Sequence, residues 1–355
     1  MLGSPVTSTH PNNEASMIRT PFARALVVAA LAAVCSGAHA FDRVVIFGDS
    51  LSDSGNNALA LGKLPACDVA APGCQVITGN TYIPSLPYGG NAYTDGTTWV
   101  NGFAAGLGMA SVAVPSYAGG WNYAFGGART TVNGNNAQNF PPAALTQVGM
   151  YLQAGTFTAN SLAIVAIGGN DVRAAADAVA ADPGNAGTII AAAAMAYAAG
   201  VGQIVDTLQS AGAQHIVVWN APNVGNTPAA RAAGPAAQGA ATFIASSMNG
   251  ALAARLASET GVVTFDLFNA FAPVFVNPGA YGFTNTTDAC GATVNNCDPA
   301  SAVFWDGIHP TSAAHALIAQ AMVQTVSAIP EPGSVVLMAL GLAGVLVARR
   351  RQAAA

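Results

Sequence analysis

An α/β fold built on a parallel sheet is the architecture this sequence predicts. Two observations carry that expectation: short β-branched runs recur along the chain, and Ala-rich segments of helical length separate them. A third is that the residues able to do chemistry fall near the ends of those runs, at the edge where parallel sheets place their ligands. Helices on both faces bury the strands of such a sheet, so the strands read as continuous apolar runs.

The first run, Arg43 to Phe47, stops at Gly48 and reads as a buried strand ending in a tight turn. Ser111 to Val114, Leu162 to Ile167, His215 to Trp219 and Val262 to Phe265 read the same way. The intervening helices are clearest over Thr188 to Ser210, Ala236 to Thr260 and Thr311 to Ser327. Alanine has the highest helix propensity, and Ile189, Met195, Ile204, Val205 and Leu208 supply an apolar side. Gly212 and Gly261 stand where a helix would end before the next strand. Residues 57–103 and 270–304 interrupt the alternation; rich in Gly, Pro, Asn and Tyr, they read as lids or binding surfaces. Tyr82, Tyr88, Tyr93, Trp99, Phe275, Tyr281 and Phe283 in them are candidates either to line a substrate pocket or to pack the loops.

Both ends of the chain read as targeting segments. Arg19 and Arg24, the apolar stretch Ala25 to Val34 and the small-x-small triplet Ala38-His39-Ala40 make residues 1–40 a signal-peptide region, with signal peptidase releasing a chain that begins at Phe41. The polar residues before Met17 point to Met17 as the start of translation. Residues 329–355 hold the helix breaker Ile329-Pro330-Glu331-Pro332, an apolar run from Val335 to Ala348 and the cations Arg349, Arg350 and Arg351. That run is shorter than the ~20 residues that span a bilayer comfortably, so a transient membrane contact is expected. The segment resembles the PEP-CTERM sorting signal of Gram-negative bacteria. This implies processing by an exosortase and delivery to the cell surface or extracellular matrix.

Residues 41–328 remain as one domain, long enough to bury a core without metals or staples. Its six basic residues (Arg43, Lys63, Arg129, Arg173, Arg231, Arg255) against fourteen acidic ones leave a net charge of −8, and the cations are scattered, which argues against nucleic acid as a partner. Four cysteines lie in it, and for an exported chain the simplest of their three pairings is Cys67–Cys74 with Cys290–Cys297. Wide spacing and the absence of a neighbouring histidine argue against zinc.

Four places carry chemistry: Gly48-Asp49-Ser50-Leu51, Asn122 to Ala128, Gly168-Gly169-Asn170-Asp171, and Asp306-Gly307-Ile308-His309-Pro310. Singly, each has a structural explanation as a turn or a helix cap. Together they supply what acyl transfer needs. Ser50 is the expected nucleophile, at a helix start that would put its amide in the oxyanion hole; His309 is its base. Asp306, three residues earlier, orients the base. The amides of Ser50 and Gly127 and the side chain of Asn170 are the oxyanion donors. Asp49, Asp53 and Asp171 read as turn braces.

These blocks resemble, in order and over nearly the whole exported chain, the SGNH or GDSL hydrolases; Trp99-Val100-Asn101 and His215 to Pro222 are similar to their secreted lipase and esterase branch. The resemblance implies a flavodoxin-like three-layer α/β/α sandwich with five parallel strands (the SGNH hydrolase fold). It also implies hydrolysis of small-molecule or lipid carboxylic esters without metal or cofactor. The α/β-hydrolase fold is disfavoured because Ser52, not Gly, follows two residues after Ser50. A matrix polysaccharide O-deacetylase and a non-catalytic surface or matrix protein are the other readings.

Overall fold

A computed structural model of the chain describes residues 41–61, 88–89, 91–134, 138–329 and 350. The expected signal segment, the Cys67–Cys74 pair, Tyr82 and the apolar C-terminal run lie outside these residues.

Val44, Val45, Ile46 and Phe47 are all fully buried, so the first strand has no face to give to solvent. It is β1 (Arg43–Gly48), and it pairs in parallel with β2 (Ser161–Ala166). β3 (His215–Trp219) and β4 (Val262–Phe265) continue the sheet in parallel, in the order β1-β2-β3-β4. Side chains alternate between the faces, as the period of a strand requires. Val45, Phe47, Val165 and Val218 enter one core with the helices Ala144–Ala154, Ala186–Ser210 and Pro235–Leu256. Ile46, Ile164, Val217 and Trp219 enter the other with Trp99–Leu107 and Ser312–Ser327. The result is the three-layer α/β/α arrangement.

Among the described residues the named α-helices are, in chain order, α1 (Asn56–Leu61), α2 (Trp99–Leu107), α3 (Ala144–Ala154), α4 (Gly169–Ala181), α5 (Ala186–Ser210), α6 (Pro228–Ala232), α7 (Pro235–Leu256), α8 (Leu267–Ala270), α9 (Ala272–Val276) and α10 (Ser312–Ser327). The segment Pro183–Ser210 is long and apolar enough to cross a membrane, but half of it is buried inside the protein, where α5 belongs to the first core. A small parallel pair, β5 (Asn285–Ala289) and β6 (Ala302–Phe304), leads into the Asp306 segment.

The main sheet has four strands rather than five. Ser111 to Val114, read as a strand, lies in a 3-10 turn over Ala110–Ala113, because Gly108 ends α2 in the left-handed region (φ 67°) and the chain turns again at once. The edge beside β1 is taken instead by the segment around Asn122. Ile46 N donates to Trp121 O at 3.0 Å, Tyr123 N to Ile46 O at 2.7 Å and Phe125 N to Gly48 O at 3.1 Å. Only Asn122 makes a bridge with Ile46 in this segment. Its side chain turns back to Ser52 O and accepts from Ala124 N, so the segment bends away as a loop. Counting that edge, the spatial order is the flavodoxin-like one.

Gly48 closes β1 under two constraints. A Cβ there would lie 2.5 Å from Ala166 O on the neighbouring strand, so only glycine allows the approach. Both of its main-chain polar groups are held by one side chain on α3: Gly48 N donates to Gln147 Oε1 and Gln147 Nε2 donates to Gly48 O, each at 2.9 Å. Gln147 is fully buried. Gln147→Ala removes the acceptor of the buried Gly48 amide, while the carbonyl keeps its bond from Phe125 N, and is expected to cost about 1–2 kcal/mol in urea unfolding; a loss under about 0.5 kcal/mol would mean that water replaces the side chain.

Candidate active site

Past Gly48 the chain makes one helical turn and stops: Asp49 O accepts from Ser52 N and Asp53 N, both at 3.0 Å. Ser50 therefore stands in an isolated turn beyond the sheet edge, and not at a helix start as the sequence suggested. α1 begins only at Asn56, where Asp53 accepts from the amides of Gly55, Asn56 and Asn57. Asp53 also accepts from Gly126 N at 2.9 Å, which ties the Ser50 turn to the Gly126-Gly127 loop.

The Asp306 segment is a turn built on its own carboxylate. Asp306 Oδ1 accepts from Ile308 N at 2.8 Å and His309 N at 2.7 Å. Oδ2 lies 2.6 Å from His309 Nδ1 and accepts from the Tyr88 hydroxyl at 2.6 Å. The far ring nitrogen, Nε2, is 2.7 Å from Ser50 Oγ across 259 residues of chain. All three side chains are buried. The protein thus brings Ser50, His309 and Asp306 into one hydrogen-bonded line.

Burial works against the Asp306 charge, but His309, the Tyr88 hydroxyl and the Ile308 amide hold its carboxyl below the ordinary value. Burial and the adjoining Asp306 push the Tyr88 phenol well up, so Tyr88 stays a donor. Tyr93 covers the imidazole, with ring centroids 5.2 Å apart, and receives a hydrogen bond from Asn57. Asp49 is buried beside the turn and accepts from the Leu51 amide at 3.0 Å, and burial pushes its carboxyl up to about 7. Asp171 accepts from the amide and hydroxyl of Thr130 and braces the second loop.

The three expected oxyanion donors lie around this turn. The amides of Ser50 and Gly127 have no hydrogen-bond acceptor among the described residues. Gly127 adopts φ 82°, a conformation that strains other residues. Asn170, in the first turn of α4 beyond β2, donates one N–H to Ala128 O at 2.9 Å and lines the same cavity as Ser50 and His309.

That cavity has a largely apolar wall, with Asn170, Arg173, Asn223, Asn226 and Thr227 as polar members beside Ser50 and His309. Leu267, Phe268, Phe271, Phe275, Phe304 and Ile318 form much of its wall. Of the aromatic candidates in the long loops, Phe275 alone among the described residues lines it. Tyr88 and Tyr93 pack on the base, Trp99 is in the core and donates to Ser52 Oγ at 3.0 Å, Phe283 fills a small satellite core and Tyr281 is partly exposed. Sequence reasoning missed the role of Tyr88 and the bracing of Gly48 by Gln147, whose partners are far away in the chain and leave no local signal. Cys290 and Cys297 form the expected disulfide, with Cα atoms 5.4 Å apart, and pack with Tyr88, Ala302 and Trp305. No group of three or more metal-ligating side chains occurs among the described residues.

The GDSL-like lipase/acylhydrolase family model matches residues 44–322. The chain belongs to this family. A PEP-CTERM protein-sorting motif, a mark of export in Gram-negative bacteria, matches residues 328–351. The chain is 33% identical to Lipase 1 of Photorhabdus luminescens over 209 residues, 58% of this chain and 26% of that protein. It is 31% identical to a GDSL esterase/lipase of Arabidopsis thaliana over 140 residues, 35% of this chain and 39% of that one. It therefore spans well under half the length of these relatives. A crystal structure of a lipolytic G-D-S-L family protein from Veillonella parvula aligns with a TM-score of 0.40 at 10% identity, over 81% of this chain and 99% of the other.

Two outcomes test the electrostatics of the GDSL site. Tyr88→Phe removes a donor from Asp306 Oδ2 and is expected to raise the Asp306 pKa, read by NMR titration of its carboxyl carbon; an unshifted titration would mean that solvent supplies the same bond. For Asp49 the folded pKa of about 7 exceeds the ordinary 3.8, so the folded state holds the extra proton. Its contribution is full below about 4 and is lost as the pH rises towards 7. Asp49→Asn should gain stability over the parent between those values in urea titrations, and parallel pH profiles would contradict the assignment.

Proposed function

We propose that this chain is an exported serine hydrolase that cleaves carboxylic esters through an acyl-enzyme on Ser50. The observation that carries the reading is the line Ser50 Oγ–His309 Nε2 and His309 Nδ1–Asp306 Oδ2, at 2.7 and 2.6 Å. His309 takes the Ser50 proton as Oγ attacks the ester carbonyl, and Asp306 fixes the tautomer and stabilises the imidazolium that forms. The developing oxyanion meets the amides of Ser50 and Gly127 and the side chain of Asn170, where one donor is worth ~3–4 kcal/mol in a well-studied protease. The alcohol leaves with the proton from His309. Water, activated by the same imidazole, then releases the acid and restores Ser50. No step calls on a metal or cofactor.

The apolar wall beside Ser50 supports an acyl chain longer than acetyl, and this sets the esterase or lipase-like reading above a matrix polysaccharide O-deacetylase. The buried, fully connected triad weighs against a non-catalytic surface protein. Signal peptidase and exosortase would process the two ends, the C-terminal segment touching the membrane only in transit to the cell surface or matrix of a Gram-negative bacterium.

Ser50→Ala is expected to lower p-nitrophenyl ester hydrolysis by at least a thousandfold and to abolish labelling by a fluorophosphonate; retained labelling would remove Ser50 from the mechanism. Across an acyl series from acetyl to palmitoyl, kcat/KM should peak beyond butyryl. A maximum at acetyl, with release of acetate from acetylated glycans, would favour the deacetylase.

A further inference from the structure

The Tyr88 hydroxyl that donates to Asp306 Oδ2 is carried on a half-buried ring with two sets of neighbours. The ring meets Tyr93, with centroids 5.7 Å apart, and stands edge-on to His309 at 6.4 Å. It also packs on a small buried cluster of Cys290, Ala302 and Trp305, which Cys297 joins from its rim. Trp305 keeps its place there by packing, because its Nε1 has no hydrogen-bond partner among the described residues. The Cys290–Cys297 disulfide is thus part of the seat of the residue that braces Asp306.

Main-chain bonds tie the disulfide loop to the segment that leads into Asp306. Cys290 N donates to Phe304 O at 2.9 Å, Gly291 N to Trp305 O at 2.7 Å, and Trp305 N to His309 O at 2.8 Å. The loop also closes on itself without sulfur. Ala292 N and Asn295 Nδ2 both donate to Ala289 O, at 3.1 and 2.8 Å. Hydrogen bonds therefore keep its backbone turn, and what the disulfide adds is the position of the sulfurs. Bonded sulfurs lie ~2.05 Å apart, closer than two thiols can stay. Opening the bond moves at least one sulfur within the cluster under Tyr88. Pressure on the ring or a gap beside it then costs the ring its seat.

We propose that the Cys290–Cys297 disulfide and Tyr88 form one positioning unit for Asp306, so that full hydrolysis requires the disulfide closed. The inference rests on the serine-hydrolase reading and adds a dependence on redox state. Tyr88 fixes Oδ2, and Oδ2 orients the imidazole through Nδ1 at 2.6 Å. Without that donor the carboxylate keeps the Ile308 and His309 amides on Oδ1, so the turn survives while Oδ2 is less constrained. Tyr88, Trp305 and the two cysteines are not part of the wall of the Ser50 cavity, so the effect falls on kcat and leaves KM in place. Thiols stay reduced in the cytosol and pair in oxidising compartments, which ties full activity to export.

The test is a double-mutant cycle on the full purified protein with p-nitrophenyl octanoate, run well below each variant's melting midpoint. Tyr88→Phe should lower kcat about tenfold with KM within about twofold of the parent. Cys290→Ser combined with Cys297→Ser should give a similar loss, and should shift the low-field NMR signal of the His309 Nδ1 proton as Tyr88→Phe does. Added to Tyr88→Phe, the cysteine pair should cost less than about twofold more. Reducing the parent and the Tyr88→Phe protein with a water-soluble phosphine, which puts two electrons and two protons across the bond, gives the same comparison without a cysteine substitution. Parent-like kcat in the cysteine variant, with only a lower melting midpoint, would make the disulfide a staple of the fold and overturn the proposal. An equal loss on top of Tyr88→Phe would overturn it as well. A parent protein inert to both the ester and a fluorophosphonate would instead overturn the serine-hydrolase reading beneath it.

Discussion

Parallel pairing of the four strands is the constraint on which the site depends. Gly48 faces Ala166, Val165 faces Val218, and Trp219 faces Phe265, so the strands end nearly in line. Whatever follows each strand therefore emerges on one edge. The Ser50 turn, the Asn170 helix start and the Asn220 to Asn223 loop all do so, and the Asn122 segment joins them by bonding to Ile46 and Gly48. A one-residue slip in β1 would turn Val45 and Phe47 into the wrong core and carry Ser50 away from His309.

Behind that edge the protein spends buried polar groups on holding loops. Asp53 gathers amides from two loops, Gln147 grips Gly48, and Asn56 and Asn122 tie the Ser50 turn to the edge segment. Each bond is worth little by itself, and each would be expensive to break because its partner is out of reach of water. The consequence is a Ser50 turn with few alternative conformations. Preorganisation of this kind is what electrostatic stabilisation of a transition state requires.

Much of this was legible because it is local. β1, β2, β3 and β4 announce themselves as β-branched runs, α5, α7 and α10 as alanine-rich stretches, and the four chemical blocks are each a few adjacent residues. What escaped is long-range. Ser111 to Val114 has the composition of a strand, yet Gly108 and the competing Asn122 segment decide its conformation. α2 begins inside the stretch 57–103, read as loop for its Gly, Pro, Asn and Tyr content; in the structure Gly102 and Gly106 let α10 approach, where a Cβ would meet Ala319 at 2.9 Å and Val323 at 2.7 Å. Tyr88 is 218 residues from the carboxylate it donates to, and no periodicity encodes such a pair. The phenylalanines of the cavity come from α8, its junction with α9, α9 and β6, mostly in a stretch read from its composition as loop.

The Asp306 turn has an implication for how such a site comes to exist at all. Because the carboxylate also binds the backbone amides of Ile308 and His309, the Asp306 carboxylate and the His309 ring are parts of one four-residue cassette, correctly placed as soon as it folds. Tertiary structure need not search for their mutual placement. A single closure, bringing residue 309 back to residue 50, completes the hydrogen-bonded line. Substitutions elsewhere in the fold can then reshape the neighbouring cavity without separating the Asp306 carboxylate from the His309 ring, so the walls are free to drift while this line stays intact.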